Sequence, residues 1–417
     1  MQKALLVGIG TYKEELFESL LELENLALAN DIESVETMSQ PLTRMNVFGY
    51  VGKGKLEEIK VFLEENSDVE LLIANDELTA SQVRNIEKFL EPLEIEVIDR
   101  TILILDIFSK RAKTKEAIIQ VEIAKLQHDL AHLVLKEESY DQQRGVSTLA
   151  NRGSGEKKID TERRLLKSRI HDLKAELVEI SKSHVQQKKS RNKSDKFLVS
   201  LVGYTNAGKS TIMNNLINED QSKKVFEKDM LFATLETNVR KLFLPNNREV
   251  LLSDTVGFID KLPHQLVSSF KSTLQEAIEA DLLIHVIDYH NPSYQKHIEV
   301  TEQTLKEIGV SESTKRLYVY NKADLMPNIN NPQVIDEGII ISAKDSKGIE
   351  LLKEVIMQKL FPDIKTCHLL IPYANYSEVD YFIKNTNIQQ MDNLEDGVAI
   401  EVDLNLVEQN KYERFIK

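Results

Sequence analysis

A single cysteine, Cys367, in 417 residues excludes an internal disulfide and fits a reducing compartment, with the cytosol as the expected location. No apolar run approaches the roughly 18–20 residues that a membrane-spanning helix needs. The apolar opening MQKALLVGIG is too short and wrongly flanked for a secretory signal and reads as a buried strand. A third glycine is missing after Gly8 and Gly10, which argues against a dinucleotide-binding turn. GKGKLEEI, starting at Gly52, lacks the spacing of a phosphate loop and reads as a turn that opens a helix. Positive charge is not in excess either: a net charge of -14 excludes a protein that coats nucleic acid over its whole surface.

The chain is long enough for two to four domains, because one core rarely serves more than roughly 250–300 residues. Its 41% hydrophobic and 29% charged content is that of a globular protein. The charge is unevenly spread. Residues 142–196 hold 15 Lys/Arg against 7 Asp/Glu, a net of +8, leaving -22 for the rest. A basic island on an acidic body confines polyanion binding to one face; when the segment is taken alone, a solvated helical surface explains it as well.

Strand and helix signals alternate over 1–112, in KALLVGI, KEELFESLLELENLAL, ELLIAND, TASQVRNIEKFLEPL (with Thr79 or Ser81 near the cap) and EIEVIDR, predicting an α/β domain with a largely parallel sheet. Over 113–182, Ile119, Ile123, Leu126, Leu130 and Leu133 are spaced 4, 3, 4, 3, and Leu166, Ile170, Leu173, Leu177 and Ile180 repeat the spacing. Two matched apolar stripes around a polar, glycine-bearing connection predict a long antiparallel helical hairpin. His128 and His132, one helical turn apart, could grip a metal, but no third ligand is evident and ordinary exposed histidines are the favoured reading. Residues 183–196 read as a basic linker, 197–362 as a nucleotide-binding domain, and 363–417 as a small α+β C-terminal domain.

Gly203, Gly208, Lys209 and Ser210 fit G-x-x-x-x-G-K-S between an apolar strand and a helix. Backbone N–H groups of such a loop turn inward around a phosphate, and the helix N-terminus adds positive potential. Lys209 then reaches the terminal phosphates and the Ser210 hydroxyl ligates Mg²⁺. LLSDTVG places Asp254 at a strand end, suited to hold a Mg²⁺-bound water, with Gly257 free to offer its N–H to a γ-phosphate. LYVYNKAD supplies Asn321, Lys322, Ala323 and Asp324. The Asp324 carboxylate accepts from the two adjacent donors of guanine, which adenine lacks, so the site selects GTP. IIISAK brings Ser342, Ala343 and Lys344 towards the guanine O6. Within DMLFATLETNVR, Thr234 is the preferred residue to complete the Mg²⁺ shell when γ-phosphate is present, with Thr237 the alternative.

Many such enzymes orient water with a glutamine where this chain has Phe258, which cannot hydrogen-bond through its side chain. A monovalent cation such as K⁺, supported by Asn206 in the phosphate loop, is one substitute; a purely structural Asn206 is the other reading. His264 and Gln265 could position water, a structural role being favoured.

These motifs resemble the HflX family of GTPases that associate with the large ribosomal subunit. The specific segments are DTVGFIDKLPHQLVSSFKSTLQEA, LFATLE, DRTILILDIFSKRAKTKEAIIQVEIAKLQ and RGSGE. The chain departs from the family at Ser154, usually proline, and at Glu236 and Thr237, usually Asp-Pro. The resemblance implies GTP hydrolysis with Mg²⁺, binding to the large subunit, and splitting or rescue of stalled ribosomes under stress; a signalling switch that binds a protein partner is the alternative. It implies nucleotide contacts from Gly203, Tyr204, Thr205, Asn206, Ala207, Gly208, Lys209, Ser210 and Thr211, from Phe232, Ala233, Thr234, Leu235 and Glu236, and from Asp254, Thr255, Val256 and Gly257. Asn321 to Asp324 and Ser342 to Lys344 complete the set. Lys209, Thr234, Gly257 and Asn206 are expected to act in hydrolysis, with Ser210 and Thr234 as metal ligands. Arg144, Arg152, Lys157 and Lys158 are expected to face ribosomal RNA. The chain is expected to be a monomer.

Overall fold

A computed structural model describes residues 1–142, 155–191, 196–217, 238–261, 274–329, 331–386 and 388–416. They fall into two compact units, one built on 1–187 and the other on most of the remainder.

The first unit is built on a four-stranded, wholly parallel sheet of order β2-β1-β3-β4, formed by β1 (Gln2–Gly10), β2 (Ile32–Pro41), β3 (Leu71–Ala74) and β4 (Glu96–Asp99). Parallel neighbours need long crossovers. The helices α1 (Lys13–Ala29), α2 (Lys53–Glu65) and α3 (Ala80–Leu90) lie in the connections, and α4 (Arg100–Arg111) follows β4. Ala4, Leu5, Leu6 and Val7 of β1 are all buried, the continuous apolar run of a strand covered on both faces. The glycines of the opening strand have a packing role: a Cβ on Gly8 would come within 2.7 Å of the Leu20 side chain of α1. Thr79 begins α3 in a reciprocal cap with Gln82. Gly52 is the residue before α2, so GKGKLEEI opens a helix.

Two long helices complete this unit, α5 (Lys115–Gln142) and α6 (Gly155–Arg191). Ile119 and Ile123 of α5 share a buried cluster with Ile170 and Leu173 of α6, flanked by Leu126, Leu130, Leu177 and Ile180. Lys115 pairs with Glu176 at 2.5 Å and Glu122 with Arg169 at 2.8 Å, so the contacting residues ascend on one helix as they descend on the other. α6 runs to Arg191, into the segment expected to be a linker. Nothing between 183 and 191 is a glycine or proline that would stop it. His128 is buried rather than exposed, contrary to the sequence expectation, on a helix, α5, that packs against α3 and α4.

The second unit holds a seven-stranded sheet of order β10-β11-β9-β8-β5-β7-β6. Its strands are β5 (Leu198–Val202), β6 (Asn238–Leu244), β7 (Arg248–Asp254), β8 (Leu282–Asp288), β9 (Lys315–Asn321), β10 (Gln333–Ile335) and β11 (Gly338–Ile340). The inner five are parallel and the two edge strands antiparallel. Helices α7 (Lys209–Ile217), α8 (Gln275–Ile278), α9 (Tyr294–Ile308) and α10 (Ser346–Leu360) lie in or after the crossovers. A core from Val199 and Leu201 through Leu252, Ile284 and Val319 to Leu352 and Ile356 runs through this unit.

The chain ends on a three-stranded antiparallel sheet, β12 (Lys365–Ile371), β14 (Gly397–Leu404) and β13 (Ile388–Leu394) in that order, with α11 (Tyr376–Asn385) and α12 (Leu406–Tyr412). It has its own apolar cluster around Ile371, Phe382, Val402 and Tyr412. Arg248 of β7 ties it on: its guanidinium donates to both Glu408 carboxylate oxygens, at 2.6 and 2.8 Å, and to the Asp403 carbonyl at 2.6 Å.

Candidate nucleotide site

Because β5, β7, β8, β9 and β11 run parallel, their C-terminal ends share one edge of the sheet, where open α/β sheets hold ligands. The four sequence motifs emerge there. The turn after β5 is Gly203 to Gly208. Gly203 has φ +144° and a Cβ on it would sit 2.2 Å from the Val286 carbonyl oxygen, while Gly208 has φ +95° and its Cβ would sit 2.3 Å from Asn321 Nδ2. Only glycine fits at these two points. Asn206, at φ 58°, takes the left-handed conformation that asparagine tolerates and lies exposed at the loop crest.

Lys209 opens α7 with its ammonium buried, donating to the Gly203 and Tyr204 carbonyl oxygens at 2.9 and 2.7 Å. Burial pushes its pKa down to about 8, against a smaller opposing pull from Asp254. The Ser210 hydroxyl donates to Asp254 Oδ2 at 2.9 Å, which brings the expected metal-binding hydroxyl and the carboxylate at the end of β7 together. A hydroxyl beside a buried carboxylate is a hard oxygen set, and it fits Mg²⁺ with waters completing its shell. Thr255 Oγ1 donates to the Leu201 carbonyl at 2.7 Å and so fixes the turn after β7 to β5. Gly257 follows, where a Cβ would lie 2.9 Å from Thr205 Cα and 3.1 Å from Lys209 Nζ.

Phe258 has a different job from a water-orienting glutamine. Its side chain is only 2% exposed. Its backbone pairs with the phosphate loop: Thr205 N donates to the Phe258 carbonyl at 2.7 Å and Phe258 N to the Gly203 carbonyl at 3.1 Å. The residue anchors the segment after β7 to the loop.

Asn321, at the end of β9, braces the base side. Its Nδ2 donates to the Ala207 carbonyl at 2.9 Å and its Oδ1 accepts from Ala343 N at 2.8 Å, so one amide holds the phosphate loop and the loop after β11 at fixed distance. Ala323 N bonds the Ile341 carbonyl at 3.1 Å. Asp324 Oδ1 accepts from Ser342 Oγ at 2.7 Å, and Lys344 Nζ lies 3.8 Å from Oδ2. This pairing orients the carboxylate that the sequence nominates for guanine. Lys322, left-handed at φ 66°, reaches Asp288 at 2.8 Å.

Asp288 and His297 were not legible in advance. Asp288 closes the apolar strand LLIHVID, a position where an acid is informative; His297 stacks flat on Tyr204 at 3.8 Å from a helical position without a distinctive motif. Phe232, Ala233, Thr234, Leu235, Glu236 and Thr237, together with His264, Gln265, Arg144, Ser154 and Arg152, lie outside the described residues. Lys157 and Lys158 are on α6, but their side chains lie outside them too.

Residues 198–322 match the family model described as 50S ribosome-binding GTPase, 17–109 the one described as GTP-binding GTPase N-terminal, and 111–191 the one described as GTP-binding GTPase Middle Region. The chain is 41% identical to the GTPase HflX of Caldanaerobacter subterraneus subsp. tengcongensis over 416 residues, which cover 100% of this chain and 94% of the relative. The chain belongs to the HflX family of GTPases. Its identity to the HflX of Alkalihalophilus pseudofirmus is 39%, covering 91% and 86% of the two chains, and to that of Escherichia coli 36%, covering 89% and 86%. As a GTPase of the HflX family, the chain hydrolyses GTP to GDP and phosphate. Among the described residues no helix is long and apolar enough to cross a membrane.

Proposed function

We propose that this protein is a Mg²⁺-dependent cytoplasmic GTPase that binds the large ribosomal subunit and splits or rescues stalled ribosomes, acting as a monomer. The observation that carries the nucleotide half is the juxtaposition of Lys209, Ser210 with Asp254, and the Asn321 brace on one sheet edge. The family description of the 198–322 match, 50S ribosome-binding GTPase, supports the ribosomal half.

In this reading Lys209 exchanges its internal carbonyl partners for the β- and γ-phosphates, and loop N–H groups turn to the same phosphates. Asp324 takes the two guanine donors while Ser342 keeps its carboxylate in place. Bound Mg²⁺, held through Ser210 and Thr234, would neutralise charge on the phosphate oxygens. Gly257 contributes its N–H near the γ-phosphate. Asn206, exposed at the loop crest, is the side chain available to support K⁺, since the buried Phe258 ring has no hydrogen bond to offer.

The helices α5 and α6 serve as a helical hairpin arm, presenting Arg144, Arg152, Lys157 and Lys158 to ribosomal RNA, and the C-terminal sheet forms a small α+β domain. The deciding experiment is GTP turnover with and without purified 50S subunits, in K⁺ and in Na⁺ at matched ionic strength. Stimulation by subunits supports the reading; unchanged turnover, with no co-sedimentation in a non-hydrolysable GTP analogue, would leave the protein-partner switch as the better account. Equal rates in the two salts would remove the K⁺ role alone.

A further inference from the structure

Apart from the nucleotide motifs of the second unit, the first unit gathers its own set of potential metal-binding side chains. Asp99, at the end of β4, and His128 and His132, one turn apart on α5, point one ligand atom each into a common space, all within 4.8 Å of one another. Among the described residues this is the group of three or more such side chains that converges. His128 is 5% exposed and Asp99 0%. His128 Nε2 faces Asp99 Oδ2 at 4.0 Å, and that nitrogen is buried with no hydrogen-bond partner. The two imidazoles lie 4.2 Å apart, centroid to centroid, tilted by 30°.

We propose that Asp99, His128 and His132 form a divalent transition-metal site, with Zn²⁺ the best match. Two imidazole nitrogens and one carboxylate are a borderline-soft set that favours zinc over Mg²⁺ or Ca²⁺. Histidines at i and i+4 on a helix place two ligands on one face, one turn apart. A tetrahedral zinc with bonds of about 2.0–2.1 Å needs ligand atoms about 3.3 Å apart. With Asp99 held in place, the site needs the two imidazoles to turn towards it, His128 Nε2 closing a gap of 4.0 Å.

The surrounding groups are arranged as partners to a site of this kind. Asp99 Oδ1 accepts from Ile102 N and Oδ2 from Leu78 N, both at 2.9 Å, which fixes the carboxylate and leaves a second lone-pair direction on each oxygen. Asp129 Oδ1 lies 3.8 Å from His128 Nδ1, on the side of the ring away from Asp99, where it favours the tautomer that leaves Nε2 free to ligate. Water completes the fourth position. The bound ion ties α5 to the junction of β4 and α4, so its effect falls on the stability of the first unit and not on GTP chemistry.

The test uses the full chain, stripped of metal with chelator and free of nucleotide. Co²⁺ is titrated while visible absorption is followed, and Zn²⁺ is titrated while the thermal midpoint is followed. The expected result is an intense d–d spectrum of four-coordinate cobalt at one equivalent, reversed by Zn²⁺, with a rise of several degrees in midpoint on adding Zn²⁺. His132→Ala, at a partly exposed position, and His128→Gln should each lose the spectrum and bind at least tenfold more weakly, while keeping the far-UV circular dichroism and cooperative thermal unfolding of the metal-free parent as proof of folding. Absence of the spectrum overturns the proposal and leaves a direct Asp99–His128 pair. The same spectrum in both variants, or a thiolate charge-transfer band implicating Cys367, places the metal elsewhere and overturns it equally.

Discussion

Lys209 is a weaker base than an ordinary lysine because the protein takes its ammonium out of water. In the nucleotide-free protein its pKa of about 8 lies below the ordinary 10.5, so between these values the unfolded chain binds more protons and stability rises with pH. Triphosphate binding has the opposite trend. Phosphate needs the charged form, so GTP affinity should stay level up to about pH 8 and then fall by roughly tenfold per pH unit. Calorimetry of GTP binding in two buffers of different ionisation enthalpy, at pH 8.5, should report proton uptake. A value of zero would mean that Lys209 is already fully charged. At Asp324 the effect is one of selectivity. The carboxylate is held by Ser342 and, in the proposed reading, presents two acceptors to guanine. Asp324→Asn replaces one acceptor with a donor, and two charge-assisted hydrogen bonds of about 1.5 kcal/mol each imply roughly a hundredfold loss of GTP affinity. Xanthosine triphosphate, which has an acceptor where guanosine triphosphate has a donor, should gain relative to GTP. A competition assay with labelled GTP reads both changes.

At the scale of elements, buried strands and capped helices were legible, and exposed edges were not. LVSLVGYTNAGKS announces its strand, turn and helix because the strand is buried on both faces and the glycines sit where only glycine fits. β2, IESVETMSQP, and β13, IQQMDNL, carry mostly polar side chains at sheet edges, so neither pattern nor propensity marks them; partners along the backbone define them. The nucleotide motifs were readable as chemistry, but the Asn321 brace and the backbone role of Phe258 depend on distances between segments far apart in sequence. The same holds for the third potential ligand beside His128 and His132. Arg248 is another such case, and it carries a prediction about how the last sheet is attached. Its guanidinium is buried and bound to Glu408 and to the Asp403 carbonyl. Arg248→Met leaves Glu408 without its cation in a partly buried setting, and breaking a pair of this kind costs about 3–5 kcal/mol. Urea unfolding should show that loss. The double substitution Arg248→Met with Glu408→Leu should recover most of it, since replacing both partners with apolar groups removes the stranded charge.

For the whole molecule, the distribution of charge matters more than its total. Residues 142–196 carry a net of +8 and the rest -22, so a polyanion is drawn to one region and repelled elsewhere. Contacts between cations and phosphate release counterions, which makes the logarithm of affinity fall linearly with the logarithm of salt concentration. If Arg144, Arg152, Lys157 and Lys158 each neutralise one phosphate of the large subunit, reversing all four to glutamate should make that slope shallower by about 3, at roughly 0.7–0.9 per contact. Affinity at low salt should drop at least tenfold, while GTP binding by the same variant stays as in the parent because none of the four belongs to the nucleotide motifs. Sedimentation with purified 50S subunits across a salt series measures slope and affinity together. An unchanged slope would move the RNA-facing surface off this segment, and a changed slope with impaired GTP binding would point to misfolding rather than to lost phosphate contacts.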